Sequence, residues 1–151
     1  MIVSSIVKQS LLFLIFFFLL ILSYAPFIAD AGKSGRNQKA IDAYKQAIRI
    51  NPEDTKVYNN LGIVYYESGR KREAIKVFKQ AIGINPDYAT AYYNLGVAYR
   101  KSGRNRKAID VYKQGIRINP EDTEAYNNLG VAYSSSGRNQ EIGRASCRER
   151  V

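Results

Sequence analysis

Three asparagines, Asn60, Asn94 and Asn128, recur at intervals of 34 residues. Each carries a carboxamide, which offers hydrogen-bond donors and an acceptor from one short side chain. Each also stands one position before a leucine in a helix-like run, where asparagine is slightly unfavourable. Repeating an unfavourable choice three times asks for a use, and two readings are open. Either the amides bind something, or each bonds its neighbouring unit or water and duplication has copied it.

Catalytic chemistry has little to work with in this chain. There is no histidine, which removes the commonest general base and metal ligand. The acidic pairs Glu53-Asp54 and Glu121-Asp122 both begin helix-like segments, where negative charge is favoured by about 0.3–1 kcal/mol. The stretch "AGKSG" from Ala31 to Gly35 hints at a phosphate loop, but that loop needs a glycine five positions before Gly32, and Phe27 is there. With no metal-spaced cluster and no nucleophile beside a base, the chain is expected to be no enzyme and to use no cofactor or metal.

The elements that position the asparagines repeat with them. "NPEDTKVYNNLGIVYYESGR" from Asn51, "NPDYATAYYNLGVAYRKSGR" from Asn85 and "NPEDTEAYNNLGVAYSSSGR" from Asn119 share one frame, and a fixed period of this length marks a repeat architecture. The rest of the unit repeats more closely still. "KSGRNQKAIDAYKQAIRINPEDT" from Lys33 departs from the stretch beginning at Lys101 only where Gln38, Ala43 and Ala47 face Arg106, Val111 and Gly115. Such closeness points to recent duplication.

Each unit reads as two helices. Tyr58, Leu61, Gly62 and Tyr65 fall on one face of the first, with Asp54 or Thr55 to cap it. Ala74, Ile75, Phe78, Ala81 and Ile82 form the matching stripe of the second; Gly69 marks the turn between them, and Asn85-Pro86 ends the pair. Gly62, Gly96 and Gly130 lie inside helices, where glycine costs about 1 kcal/mol against alanine. A close approach by the paired helix is the expected reason.

This pattern resembles the tetratricopeptide repeat, whose signature stands here as Tyr58, Leu61-Gly62, Tyr65, Ala74, Phe78, Ala81 and Pro86, then Tyr92, Leu95-Gly96, Tyr99, Ala108, Tyr112, Gly115 and Pro120. The resemblance implies an all-α, right-handed solenoid of antiparallel helix pairs, here preceded by an apolar N-terminal helix. Its array covers 33–140: a half unit at 33–54, units at 55–88 and 89–122, and a partial unit at 123–140. It also implies a protein-interaction scaffold whose first helices line a concave groove. Some members carry an asparagine ladder there that pairs with the backbone of an extended peptide, a role that falls to Asn60, Asn94 and Asn128. Neighbouring groove positions, Asn59, Tyr93, Asn127, Arg100 and Lys101, with Ile63, Tyr66, Glu67 and Val97, then supply specificity. The carboxylate clamp that co-chaperone members use for acidic C-terminal peptides is absent, since Ile63 stands where it wants an asparagine and Asn59 where it wants a lysine.

The two ends and the charge raise separate expectations. Leu11 to Leu22 is an unbroken apolar run behind Lys8, and Ala29-Asp30-Ala31 offers a cleavage pattern; residues 1–31 therefore read as either a cleaved signal or a membrane anchor, with the side of the membrane open. The formal net charge is +10. Its densest patches, Arg70-Lys71-Arg72 with Lys76 and Lys79, and Arg104, Arg106, Lys107, Lys113 and Arg117, read first as solvated helix edges. An anionic membrane or nucleic-acid face is the lesser alternative, with nucleic acid disfavoured, and self-assembly through open solenoid ends is another. After Gln140 the repeat's landmarks vanish. "IGRASCRERV" can be back-translated as ATC GGA AGA GCG TCG TGT AGG GAA AGA GTG, which resembles a sequencing adapter, so 141–151 is expected to be an artefact and Cys147 to carry no function.

Overall fold

Every Asn-Pro step folds into the same turn. Asn51 Oδ1 accepts from the Glu53 amide at 3.3 Å, Asn85 Oδ1 from Asp87 at 3.0 Å and Asn119 Oδ1 from Glu121 at 3.4 Å. A side chain that imitates a backbone turn, followed by a proline that cannot continue a helix, separates one helix pair from the next.

The computed structural model describes the backbone of residues 34–148 and the side chains of 34–137. The N-terminal 1–31 segment, and Cys147 as a side chain, lie outside those described residues. The chain divides into a unit ending at Lys39 and a second running from Ala40 to Val151; of the first, only the start of one helix is described. Helical backbone spans 34–50 (α1), and then Thr55–Glu67 (α2), Lys71–Ile84 (α3), Ala89–Arg100 (α4), Asn105–Ile118 (α5) and Thr123–Arg148 (α6). Among the described residues there is no strand, and no helix is long and apolar enough to cross a membrane.

From Ala40 onward the helices stack as antiparallel pairs. Helix α2 packs on α3, α4 on both α3 and α5, and α6 on α5, while α2 touches α4 and α4 touches α6. One apolar core threads the stack through Ile41, Leu61, Tyr65, Phe78, Leu95, Tyr99, Ala108 and Tyr112. The expected all-α solenoid is therefore the observed architecture, held by each helix's apolar stripe meeting two neighbours.

Local chemistry sets the helix ends. Asp54 Oδ1 accepts from the amides of Lys56 at 3.0 Å and Val57 at 3.3 Å, and Asp122 Oδ1 accepts from Ala125 at 2.9 Å, so these acids cap helices. Replacing Asp54 by alanine is expected to lower stability by about 0.5–2 kcal/mol, readable as a lower urea midpoint. At the other end, Gly69 takes φ 75°. Its amide bonds Tyr66 O, and the Arg70 amide bonds Tyr65 O at 2.9 Å. This paired closure needs a left-handed residue, which glycine supplies without strain; Gly103 with Arg104 repeats it.

The third copy of that turn does not form. The period places it at Gly137, yet α6 runs on to Arg148 and Gly137 has no positive φ. The physical reason lies downstream. The residues after Gly137 carry no apolar stripe that could fold back onto α6, while Arg, Gln, Glu and Ala continue a helix readily.

The glycine expectation divides in the same way. A Cβ at Gly62 would fall within 3.0 Å of three ring carbons of Phe78, and one at Gly96 within 3.0 Å of three ring carbons of Tyr112. At Gly130 it would meet nothing.

Candidate functional site

The first helix of each unit carries the asparagines, and contacts of α2 with α4 and of α4 with α6 set them side by side. Their amides do not all point at water. Asn94 Nδ2 donates to Asn59 Oδ1 at 2.9 Å, linking α4 to α2. Asn128 Nδ2 donates to Tyr93 Oη at 3.4 Å and to Glu124 O at 3.0 Å. Asn59 and Tyr93 are equivalent positions 34 residues apart, so the same rung forms twice with different acceptors.

These rungs settle where each expected residue lies. Asn59, expected on the groove, is only 3% exposed and faces Asn94. Asn60 and Asn127 are exposed, Asn94 and Asn128 half-buried. The open reading in which each amide bonds the neighbouring unit thus describes one donor of Asn94 and one of Asn128, the latter also donating within its own helix. It leaves their carboxamide oxygens uncommitted, with all of the Asn60 amide. Lys101 is exposed, and its carbonyl accepts from Lys71 Nζ at 3.2 Å.

A polar cluster surrounds the second rung. Tyr93 Oη donates to Glu124 Oε1 at 2.5 Å, and burial together with that carboxylate pushes the Tyr93 pKa well above the ordinary tyrosine value. The Tyr93 and Tyr112 rings lie 6.3 Å apart at 50°, a tilted arrangement that aromatic quadrupoles favour. Tyr112 is fully buried; its hydroxyl and the buried Arg100 Nε lie close enough to interact, but neither makes a hydrogen bond of regular distance and angle. Burial raises the Tyr112 pKa, while the nearby Arg100 guanidinium acts in the opposite sense.

Glu124 and the Tyr112 hydroxyl escaped the sequence reading. Each had a signal, because Glu124 replaces Thr90 and Tyr112 replaces Phe78 at their periodic positions. A departure from the repeat was the place to look for a specific contact.

The basic patches are solvent-facing: Lys71, Arg72, Lys76, Lys79, Arg104, Arg106, Lys107, Lys113 and Arg117 are exposed. Arg70 is engaged, with Nε 2.8 Å from Glu73 Oε1 and its guanidinium 4.5 Å from the Tyr65 ring centroid. Its hydrogen bond lowers the Glu73 pKa. Among the described residues no group of three His, Cys, Asp or Glu side chains converges into a metal site.

The family model described as TPR repeat matches residues 33–69, 64–103 and 98–137. The chain is a TPR-repeat protein. Two crystal structures of MamA are each 32% identical to it over 72% of this chain, with TM-scores of 0.64. The match spans 63% and 59% of those MamA chains. The first TPR of Spaghetti (RPAP3), bound to the HSP90 peptide SRMEEVD, is 22% identical over 72% of this chain and 86% of its own, with a TM-score of 0.65. That last likeness is one of fold. No curated protein sequence matches this one. TPR repeats form a family of protein-interaction scaffolds, and this chain shares their all-α solenoid fold.

Proposed function

We propose that the face formed by α2, α4 and α6 binds an extended segment of a partner protein. The observation that carries this reading is the direction of the rungs: Asn94 and Asn128 each donate one N–H to the preceding unit, and Asn128 donates also to Glu124 O in its own helix, which leaves the two carboxamide oxygens, with the Asn60 amide, to pair with a peptide backbone. Asn59 acts here by orienting Asn94. Tyr93, Asn127, Arg100 and Lys101 read the partner's side chains. One protein of similar fold is bound to an HSP90 peptide, but Ile63 and the buried Asn59 replace two groups of the acidic-peptide clamp. An acidic C-terminus is therefore not the expected ligand.

The test is a peptide array probed with the full chain and with Asn60→Ala/Asn94→Ala/Asn128→Ala. Each lost hydrogen bond is worth about 0.5–1.5 kcal/mol, so three together predict binding weakened by about 100-fold. Equal capture by both proteins would remove the ladder. A basic-surface reading predicts instead that binding collapses as salt is added, whatever the asparagines are. We also propose that 1–31 delivers the array to or across a membrane; recovery of the chain in the soluble cytosolic fraction, uncleaved, would count against this.

A further inference from the structure

We propose that the outer faces of α3 and α5 form a docking surface for an anionic lipid bilayer. This goes beyond peptide binding and uses the opposite side of the stack. Charge is divided between the two kinds of helix. Helix α3 carries four basic side chains against Glu73, and α5 carries four against Asp110. The first helices stay near neutrality, with Lys56 against Glu67 in α2 and Arg100 alone in α4. A coat made only for solubility needs no such separation, because interspersed charges of both signs serve it.

Placement within each helix is equally regular. Arg72, Lys76 and Lys79 follow at spacings of four and three, and Arg106, Lys113 and Arg117 at seven and four, so each set forms one stripe. The buried Ala74, Phe78 and Ala81 lie on the far side of α3, as Ala108, Tyr112 and Gly115 do in α5. Both stripes therefore point away from the core, and packing of a further helix pair at either end of the array would not cover them. First helices meet across units, α2 on α4 and α4 on α6, whereas α3 and α5 do not touch. The side of the second helices is thus the spread, convex one. Among the described residues the one ion pair joins Arg70 to Glu73, so no carboxylate pairs with either stripe. Lys113 Nζ lies 5.6 Å from the Tyr133 ring centroid, and Arg117 donates to Gln114 Oε1 at 3.5 Å; both neighbours are uncharged, and both cations stay exposed.

Lipid headgroups suit this surface better than a nucleic acid does. The aromatic residues of α3 and α5, Phe78 and Tyr112, are both buried, so no ring stands among the cations to stack on a base. An anionic leaflet attracts each nearby Lys or Arg without asking for a fixed partner geometry, and a spread of separate cations meets that condition. The segment 1–31, proposed above to take the array to a membrane, would keep such a surface within reach.

Energy transfer tests this on the full chain. The sequence has no tryptophan, so Gln80→Trp places a single donor beside the α3 stripe and Thr90→Trp a single donor on α4, away from it. Vesicles are made of phosphatidylcholine alone or with one part in three of phosphatidylserine, each holding a dansyl-labelled headgroup as acceptor. Transfer from the Gln80→Trp donor is expected to rise in anionic over neutral vesicles, by more than transfer from Thr90→Trp, and to fall back as salt is raised. The comparison holds whether 1–31 is cleaved or inserted, because both lipid mixtures offer it the same hydrocarbon. In the Gln80→Trp background, Arg72→Gln/Lys76→Gln and Arg106→Gln/Arg117→Gln are each expected to lower the docked-to-free ratio of the face by about 30-fold. Lys56→Glu changes net charge by the same amount on the other side and is expected to leave transfer unchanged; circular dichroism checks that all variants fold. Equal transfer in the two lipids overturns the proposal, as does an equal rise from the two donors. A loss in Lys56→Glu as large as in the stripe variants overturns it too, since net charge alone would then be responsible. If duplex DNA binds through the same stripes while anionic vesicles draw no extra transfer, the face serves a nucleic acid and the bilayer is excluded. None of these outcomes alters the peptide-array result, which reads the other side.

Discussion

Truncating Phe78 to alanine is expected to destabilise the fold by about 3–5 kcal/mol, the range for removing a fully buried phenyl ring. Phe78 is 1% exposed, and its ring carbons occupy the space a side chain at Gly62 would claim. One wall of that space is the backbone of α2 at Gly62, which limits how far the site can collapse. Set against a typical total of about 5–15 kcal/mol, the loss brings the array close to unfolding at room temperature. Urea denaturation followed by circular dichroism should show the midpoint falling steeply with little change in slope.

The same notch predicts opposite signs for three glycine substitutions. Alanine in a helix gains about 1 kcal/mol over glycine, while overpacking costs about 1–3 kcal/mol. At Gly62 and Gly96 the ring stands in the way and the second effect prevails; at Gly130 nothing stands in the way and only the gain remains. Gly62→Ala and Gly96→Ala should thus lower the melting temperature and Gly130→Ala raise it. Pairing Gly62→Ala with Phe78→Leu should cost less than the two separate losses added, because both act on one cavity. A common sign at all three glycines would show that the ring contact does not explain them.

Much of this was open to a reader of the sequence because the period constrains each position more than once. A glycine that recurs three times before a periodic aromatic implies a notch, and the structure places Phe78 and Tyr112 in two of them. Asp54 before a helical stripe implies a cap, and it is one. The rungs were less legible. Whether Asn94 faces water or Asn59 depends on how one unit is rotated against the next, and periodicity along the chain carries no record of that angle. The identity of the acceptor then changes from Asn59 to Tyr93, a substitution that looks neutral until the hydrogen bond is seen. The missing turn at Gly137 follows a different rule. A glycine permits the reversal, but only an apolar helix beyond it makes the reversal favourable.

Replacing Tyr112 by phenylalanine is expected to stabilise the protein, by about 1 kcal/mol at neutral pH. A buried hydroxyl left without a partner costs about 1–3 kcal/mol. Tyr112 is fully buried, its hydroxyl makes no regular hydrogen bond, and Phe78 fills the equivalent site without a hydroxyl. The change keeps the ring in the Gly96 notch, so it creates no cavity. Its effect should also depend on pH. Burial raises the Tyr112 pKa above the ordinary value, which is about 10, so the fold favours the protonated phenol. That contribution is complete below the ordinary value and is lost as pH rises from it through the folded pKa. Tyr93 is raised in the same direction, by burial first and then by its hydrogen bond to Glu124, and acts with the same sign. The wild type should therefore lose stability above about pH 10, and Tyr112→Phe should lose it less steeply while starting higher. Tyr93→Phe should also flatten the alkaline loss but start lower, because it breaks the bonds to Glu124 and Asn128. Thermal melts from pH 7 to 11 separate the two. A Tyr112→Phe protein that melts below wild type at neutral pH would mean that the Arg100 guanidinium holds the hydroxyl in solution, and that the pair is a structural bond between α4 and α5.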